Sequence, residues 1–473
     1  MDVINVDICI IGAGSGGLSV AAGASQMGAK IVLIEKGEMG GDCLNSGCVP
    51  SKALLAAAHA AQTVRKAGQF GLKVDEPSTD WEGVHRHVHE VINSIAPNDS
   101  QERFEGLGVN VIRATASFED EQTVRAGDQL IRAKYFVLAT GSSPFVPPID
   151  GLDEVSYFTN ENIFENRDAV DHLIVIGGGP IGIEMAQAFR RLGAKVTVME
   201  MARLLMKDDP ELTRIVIDRL SEEGMLFYEG GRNLKLGKTQ EGQVSVHCET
   251  DAGVQCAIGS HLLIATGRRA NVNGLNLEAA GVSYTPHGVE VDARLRTSNK
   301  RVFAIGDVAG PYQFTHMAAY QAGIVIRNML FKLPAKVDYS AVPWVTYSDP
   351  ELAHVGMSEA DATKQGKEIR VLRWSFSEND RAQAERRTEG MIKVITTPKG
   401  LILGAGIVGL HAGELIQPWV LAVSQKMKIG SVASMIAPYP TLAEANKRIA
   451  GSFYADKLFS STTKRLVRLL MKI

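Results

Sequence analysis

The sequence predicts an α/β protein with two Rossmann-like dinucleotide-binding domains. The first observation behind this is an internal repeat. Residues 7–37, DICIIGAGSGGLSVAAGASQMGAKIVLIEKG, can be laid on residues 172–202, HLIVIGGGPIGIEMAQAFRRLGAKVTVMEMA. The second is a glycine spacing: at one constant offset Gly12, Gly14 and Gly17 fall on Gly177, Gly179 and Gly182. The third is an acid closing each copy, Glu35 and Glu200, about 20 residues beyond the glycines, as the dinucleotide fingerprint requires.

Taken in order, each copy is an apolar strand, a G-x-G-x-x-G turn, an amphipathic helix and a second strand. The first glycine makes the tight turn, and the second lets the backbone approach a pyrophosphate. The third lets helix and strand pack closely, with the helix N-terminus facing the phosphates. Two copies in register imply two bound dinucleotides. A carboxylate at Glu200 accepts from a free ribose 2′-OH and repels a 2′-phosphate, although Arg203 offsets part of that repulsion. NADH is therefore expected in preference to NADPH.

With 473 residues the chain is long enough for two to four domains. A formal net charge of −3 gives no general reason to expect a nucleic-acid partner. Five cysteines are too few for a disulfide scaffold and suit a reducing compartment, so the expected location is the cytoplasm. The chain enters a strand pattern at once (VDICIIG), without the basic and apolar regions of a signal peptide. No apolar run approaches the roughly 20 residues that span a bilayer.

Residues 40–52 read GGDCLNSGCVPSK. Cys43 and Cys48 alone leave three readings open: a redox disulfide, a metal site, or two structural thiols. A zinc site lacks a second C-x-x-C or a neighbouring His to complete four ligands, and no metal is expected. Cys9 reads as strand core, and Cys248 and Cys256 as sheet residues.

This stretch, joined to the two dinucleotide units, resembles the class I flavoprotein pyridine nucleotide-disulfide oxidoreductases, which include dihydrolipoamide dehydrogenase, glutathione reductase and mercuric reductase. The family motif C-x-N-x-G-C-x-P-S-K is matched at Cys43, Asn45, Gly47, Cys48, Pro50, Ser51 and Lys52. Further matches are Ala116 within ATASF, Thr140 and Gly141 within ATG, Gly267 closing the second unit, Asp307 within AIGDVAG, and Ala318 within THMA. The resemblance implies an FAD-binding domain in two parts (1–147 and 271–341) around an NAD(P)-binding domain (148–270). A C-terminal α/β dimerisation domain (342–473) would follow, giving a homodimer whose active site the partner completes.

The resemblance also implies roles. Cys48 would be the thiolate beside the flavin, and Cys43 would exchange with a disulfide, dithiol or lipoyl substrate. Lys52 would lie beside the flavin ring, with Glu184 paired to it near the nicotinamide. Asp307 would hold the ribityl hydroxyls. The lipoamide and glutathione branches end in H-P-T-x-x-E, whose His is the acid–base for substrate thiols. Here the stretch is APYPTLAEANKR: Pro440, Thr441 and Glu444 match, but Tyr439 stands at the histidine position. A phenol near pKa 10 shuttles protons poorly at neutral pH. Mercuric reductase resembles P-Y-x-T-x-x-E here, yet its terminal cysteine pair has no counterpart after Cys256.

The expected function is an FAD-dependent NADH:disulfide oxidoreductase. Alternatives are reduction of a soft metal ion or a quinone, and, in another class, a flavin-bound redox sensor or membrane-associated partner protein. His85, His87 and His89 lie on an expected helix where His85 and His89 share a face; two histidines four apart can bind a transition metal, but a solvated face is the commoner meaning and the preferred reading. The tail from residue 453 places Leu458, Thr462, Leu466, Leu470 and Ile473 at helical spacing, among Lys457, Lys464, Arg465, Arg468 and Lys472. Packing on the protein's own dimer is the preferred reading of residues 453–473, with an anionic membrane surface or an acidic partner as the others.

Overall fold

The computed structural model describes residues 3–473. It divides into two compact units: residues up to Met201 with Gly230–Val337, and Ala202–Glu229 with Asp338–Ile473.

In the first unit, strand Val3–Ile11 lies between Ile31–Glu35 and Gln129–Leu138, and all three run parallel. Val109–Arg113 extends one side in parallel, and Thr123–Ala126 with Ala116–Asp120 extends the other antiparallel. Side chains alternate across this sheet. Ile8, Ile10 and Leu33 enter one core, while Cys9, Val32 and Ile34 enter the other. Both faces are covered, which explains why these strands read as near-continuous apolar runs. Cys9 is fully buried, as expected of strand core.

The repeat folds the same way. Strands Lys195–Met199, His172–Ile176 and His261–Ile264 are parallel, with helix Pro180–Arg191 following the second glycine turn. A three-stranded antiparallel ribbon, Arg232–Lys238, Val244–Thr250 and Gly253–Gly259, carries Cys248 and Cys256.

The second unit is built on an antiparallel five-stranded sheet in the order Pro343–Thr346, Glu351–Gly356, Ile402–Gly409, Met391–Thr396, Arg370–Ser375. Trp419 is fully buried beside it and donates its indole N–H to Asn446 Oδ1 at 2.8 Å, which satisfies the one polar atom it brings into the core. The chain ends in helix Ser461–Leu470, capped by Ser460 and with no buried residue. Among the described residues, no helix is long and apolar enough to cross a membrane.

Candidate active site

The two glycine turns show the same division of labour. A Cβ at Gly12 would lie 2.3 Å from Ala139 O, and one at Gly17 would lie 1.9 Å from Gly12 O. In the repeat, Gly177 and Gly182 meet Ala265 O and Gly177 O at 2.4 and 2.0 Å. The outer glycines are thus demanded by the protein's own backbone. The middle ones differ: a Cβ at Gly14 would meet only Gly41 Cα at 3.9 Å, and one at Gly179 nothing within 4 Å. The backbone therefore leaves room beside each middle glycine, and the two cradles fit a diphosphate at each turn. Glu35 Oε2 accepts from Ala13 N and Glu200 Oε2 from Gly178 N, both at 2.6 Å, so each acid braces its own turn.

The other expected contact residues all lie in the first unit. Thr140 donates to Asn271 O at 2.8 Å, next to Gly141 at φ 67°. Gly267, in the left-handed region at φ 141°, has open space where a Cβ would stand. The Ala116 side chain is buried in the sheet core, leaving only its backbone for a ligand. Asp307 Oδ2 accepts from Ser142 Oγ at 2.6 Å, and burial raises its pKa against the pull of Ser142 and Arg268. Ala318 sits in the first turn of helix Thr315–Met329, its side chain packed near Gly16 and Gly306.

Cys43 lies in the short helix Gly41–Asn45, entered through Gly40 and Gly41 at positive φ. Asn45 Nδ2 ties this turn to Met39 O and Gly41 O. Asn160 Nδ2 bonds Asp42 Oδ1 and Ser46 O, both at 3.0 Å, and Arg268 lies 3.2 Å from Asp42. Cys48 is the first residue of the 19-residue helix Cys48–Lys66, where unpaired N–H groups favour negative charge.

The pair is in its dithiol form. The hydrogen bond from Cys43 first, then Thr315 (3.4 Å) and the Lys52 cation, together lower the Cys48 pKa to about 6 against burial. The same bond, with burial, raises the Cys43 thiol well above its ordinary value. These shifts put the lower pKa on Cys48 and the higher on Cys43. Lys52, one turn beyond Cys48, is ion-paired to the buried Glu184 at 2.7 Å. The sequence motif did not reveal Asn160, Arg268 or Ser142. Thr315 opens the THMA match, but nothing marked it as a sulfur partner.

Tyr439 and Glu444 lie in the second unit. Tyr439 is two-thirds exposed and donates to Asp380 Oδ2 at 2.8 Å, which raises its pKa above the ordinary phenol value. Glu444 is ion-paired to Arg448 at 2.6 Å, one turn along its own helix. The carboxylate that would support a histidine at 439 is thus committed elsewhere.

A family model described as "Pyridine nucleotide-disulphide oxidoreductase" matches residues 6–322, and that family's dimerisation domain matches residues 342–450. The chain is 35% identical to mercuric reductase of Streptomyces lividans over 458 residues, covering 95% of this chain and 96% of the relative. It is 33% identical to dihydrolipoyl dehydrogenase of Geobacillus stearothermophilus, covering 93% and 94%. Among solved structures it is similar to the HOCl-induced flavoprotein disulfide reductase RclA of Escherichia coli, including its Cu(II) complex, with a TM-score of 0.85 and 26% identity over 94% of this chain and 99% of that one. The chain belongs to the pyridine nucleotide-disulphide oxidoreductases, FAD-dependent enzymes that use NAD(P)H and act on sulfur groups.

Proposed function

We propose that this enzyme takes electrons from NADH and delivers them through Cys43 and Cys48 to a thiol–disulfide substrate, in the manner of a dihydrolipoamide dehydrogenase. The observation that carries this is the pair of thiols at the start of helix Cys48–Lys66, with Cys48 Sγ 3.4 Å from Thr315 Oγ1 and the Lys52–Glu184 ion pair one turn along. Bound FAD supplies the two-electron relay between the pyridine nucleotide and the sulfurs. The glycine cradles with Glu35, Thr140, Gly141, Asp307 and Ala318 would hold FAD, and Gly177, Gly179, Gly182, Glu200 and Gly267 the nicotinamide nucleotide.

The pair holds one proton between two sulfurs. When Cys43 attacks a substrate disulfide, its proton passes to the Cys48 thiolate as the first substrate thiolate leaves, and Cys48 gives that proton up to the leaving thiolate or to solvent and is a thiolate again. Cys48 then attacks the Cys43 sulfur, releasing the second thiolate and closing the Cys43–Cys48 disulfide. Two electrons reach the substrate, and two protons must follow. Lys52 and Glu184 keep a cation one turn from the reacting thiolate.

The choice of NADH is supported by Arg203. Its guanidinium is engaged by Thr213 Oγ1, Met206 O and Asp208 O at 2.8–3.0 Å, so it has little freedom to meet a 2′-phosphate. A second reading is favoured by Tyr439. With its proton held more tightly than in an ordinary phenol, it is a poor acid for a leaving thiolate, whereas a soft metal ion accepts electrons from thiolates without one. Anaerobic NADH oxidation with lipoamide or with Hg²⁺, in wild type and Cys43→Ser, tests both readings. Lipoamide turnover abolished by the variant supports the first, and turnover with Hg²⁺ alone supports the second. Acceptor reduction that survives Cys43→Ser overturns both.

The partner beyond the dimer is read from the tail, which we propose meets an anionic phospholipid surface, with the enzyme in the cytoplasm. Residues 455–473 carry five cations and one acid, and that acid, Asp456, is paired to Arg370. On helix Ser461–Leu470, Lys464, Arg465 and Arg468 fall on one side, and Leu466, Leu469 and Leu470, each more than half exposed, on the other. Each cation contributes about 1 kcal/mol near an anionic leaflet, and the apolar side enters the headgroup boundary. Sedimentation with phosphatidylglycerol-containing vesicles should retain the holoenzyme, lose it at high salt, and lose it in Leu466→Glu/Leu470→Glu. Equal retention on neutral phosphatidylcholine, no retention at all, or a variant that becomes monomeric would overturn the lipid reading, the last in favour of packing on the dimer.

A further inference from the structure

The three histidines expected on a solvated helix face are not equivalent in the structure. His87 is engaged, its ring nitrogen 3.2 Å from Ala53 O on the helix that begins at Cys48. His85 and His89 turn the other way on helix Trp81–Ile95, with ring centroids 4.1 Å apart. Their Nε2 atoms are both buried without a hydrogen-bond partner, and the His85 side chain is 91% buried. Facing them is Glu165, from the turn Ile163–Glu165, with Oε2 at 3.8 Å from His85 Nε2 and 3.5 Å from His89 Nε2.

Those separations are too long for hydrogen bonds, which close to about 2.7–3.2 Å. They are close to the edge of a tetrahedron around a small cation. Zinc with ligand bonds near 2.0–2.2 Å spaces neighbouring ligands roughly 3.3–3.5 Å apart. The three ligand atoms lie within 4.8 Å of one another, so a modest closure suffices. Two histidines one turn apart and a carboxylate from another segment make a borderline donor set.

We propose that His85, His89 and Glu165 bind one divalent transition cation of the zinc type, leaving a fourth position for water or another ligand. The site has a structural consequence. Glu165 follows closely on Asn160, which clamps the loop between the redox cysteines through Asp42 and Ser46. A cation would fasten that segment to helix Trp81–Ile95, itself registered on the Cys48 helix by His87.

The test uses the FAD-loaded enzyme carrying Cys43→Ser, Cys48→Ser and Cys256→Ser, because the redox thiols, and Cys256 beside His247 at 3.7 Å, would also take the probe. Zn²⁺ titration should show one saturable site per chain and a rise in Tm with added metal. Loss of an outer-shell partner alone weakens metal sites about 10–100-fold, so removing a ligand by His89→Gln or Glu165→Gln should cost at least about tenfold in affinity and abolish the Tm rise. Glu165 is 63% exposed, so its variant should fold even if a histidine variant does not. No saturable Zn²⁺ binding, or binding unchanged in Glu165→Gln and His89→Gln, would overturn the proposal and leave the cluster as an imidazole–carboxylate contact.

Discussion

The ionisation of Cys48 is the most exposed point of this reading. A thiol with pKa about 6 is about nine-tenths thiolate at pH 7, whereas one at its ordinary 9.0 is about one-hundredth ionised, a difference of about 90-fold in reactive sulfur. The sign is fixed by the direction: the thiolate is present above about 6 and is lost roughly tenfold per unit as pH falls below it. The causes are ranked as well, with the Cys43 hydrogen bond first, then Thr315, then Lys52. Anaerobic titration of the reduced enzyme, read by ultraviolet thiolate absorbance, should give a half-point near 6. Cys43→Ala should raise it most, Thr315→Val less, and Lys52→Met least. A wild-type half-point at 8 or above, or a Lys52→Met shift larger than that of Cys43→Ala, would refute the assignment of Cys48 as the stabilised thiolate.

Three further outcomes follow from the geometry. Gly17→Ala places a methyl 1.9 Å from Gly12 O, so the first turn must open, and the purified protein should lose its bound flavin absorbance. If NADH is preferred through Glu200, Glu200→Ala should raise the ratio of kcat/KM for NADPH to that for NADH; an unchanged ratio places the discrimination elsewhere. Tyr439→Phe should leave thiol–disulfide turnover unchanged, because the exposed phenol is bonded to Asp380. Tyr439→His should raise lipoamide turnover, by up to the 10²–10⁴ typical of a positioned acid–base, but near the low end because Glu444 is held by Arg448.

The parts of the site visible in the sequence are those whose physics is local. Gly17 is required by the carbonyl of Gly12 five residues earlier, and Gly12 by its own positive φ of 104°, so their spacing repeats wherever the turn does. The Cys48 helix likewise carries its cation, Lys52, one turn along. What tunes the thiolate from outside is not local: Thr315 reaches Cys48 across 267 residues, and Asn160 and Arg268 arrive from separate segments. The histidines show the same limit. The i, i+4 pair His85 and His89 was visible, but the solvated-face reading omitted the turn that brings Glu165 over them and buries both Nε2 atoms. A residue's partner across the fold leaves no periodic trace in its own neighbourhood.

The proton balance separates the two acceptor classes more sharply than rates do. Reducing a disulfide with NADH consumes one proton from outside and releases two thiols, so each leaving thiolate must be protonated. A soft metal ion held between Cys43 and Cys48 takes two electrons and requires neither proton. In both cases turnover rises as Cys48 ionises through about pH 6. Above that pH they diverge. Without a histidine at position 439, and with the Tyr439 proton held above the ordinary phenol range, the disulfide reaction must draw protons from solvent and should fall as pH rises toward 9. The metal reaction should stay level. A lipoamide profile that stays flat to high pH would mean that another group of the enzyme supplies the protons, and the reading of Tyr439 as a lost acid would fail.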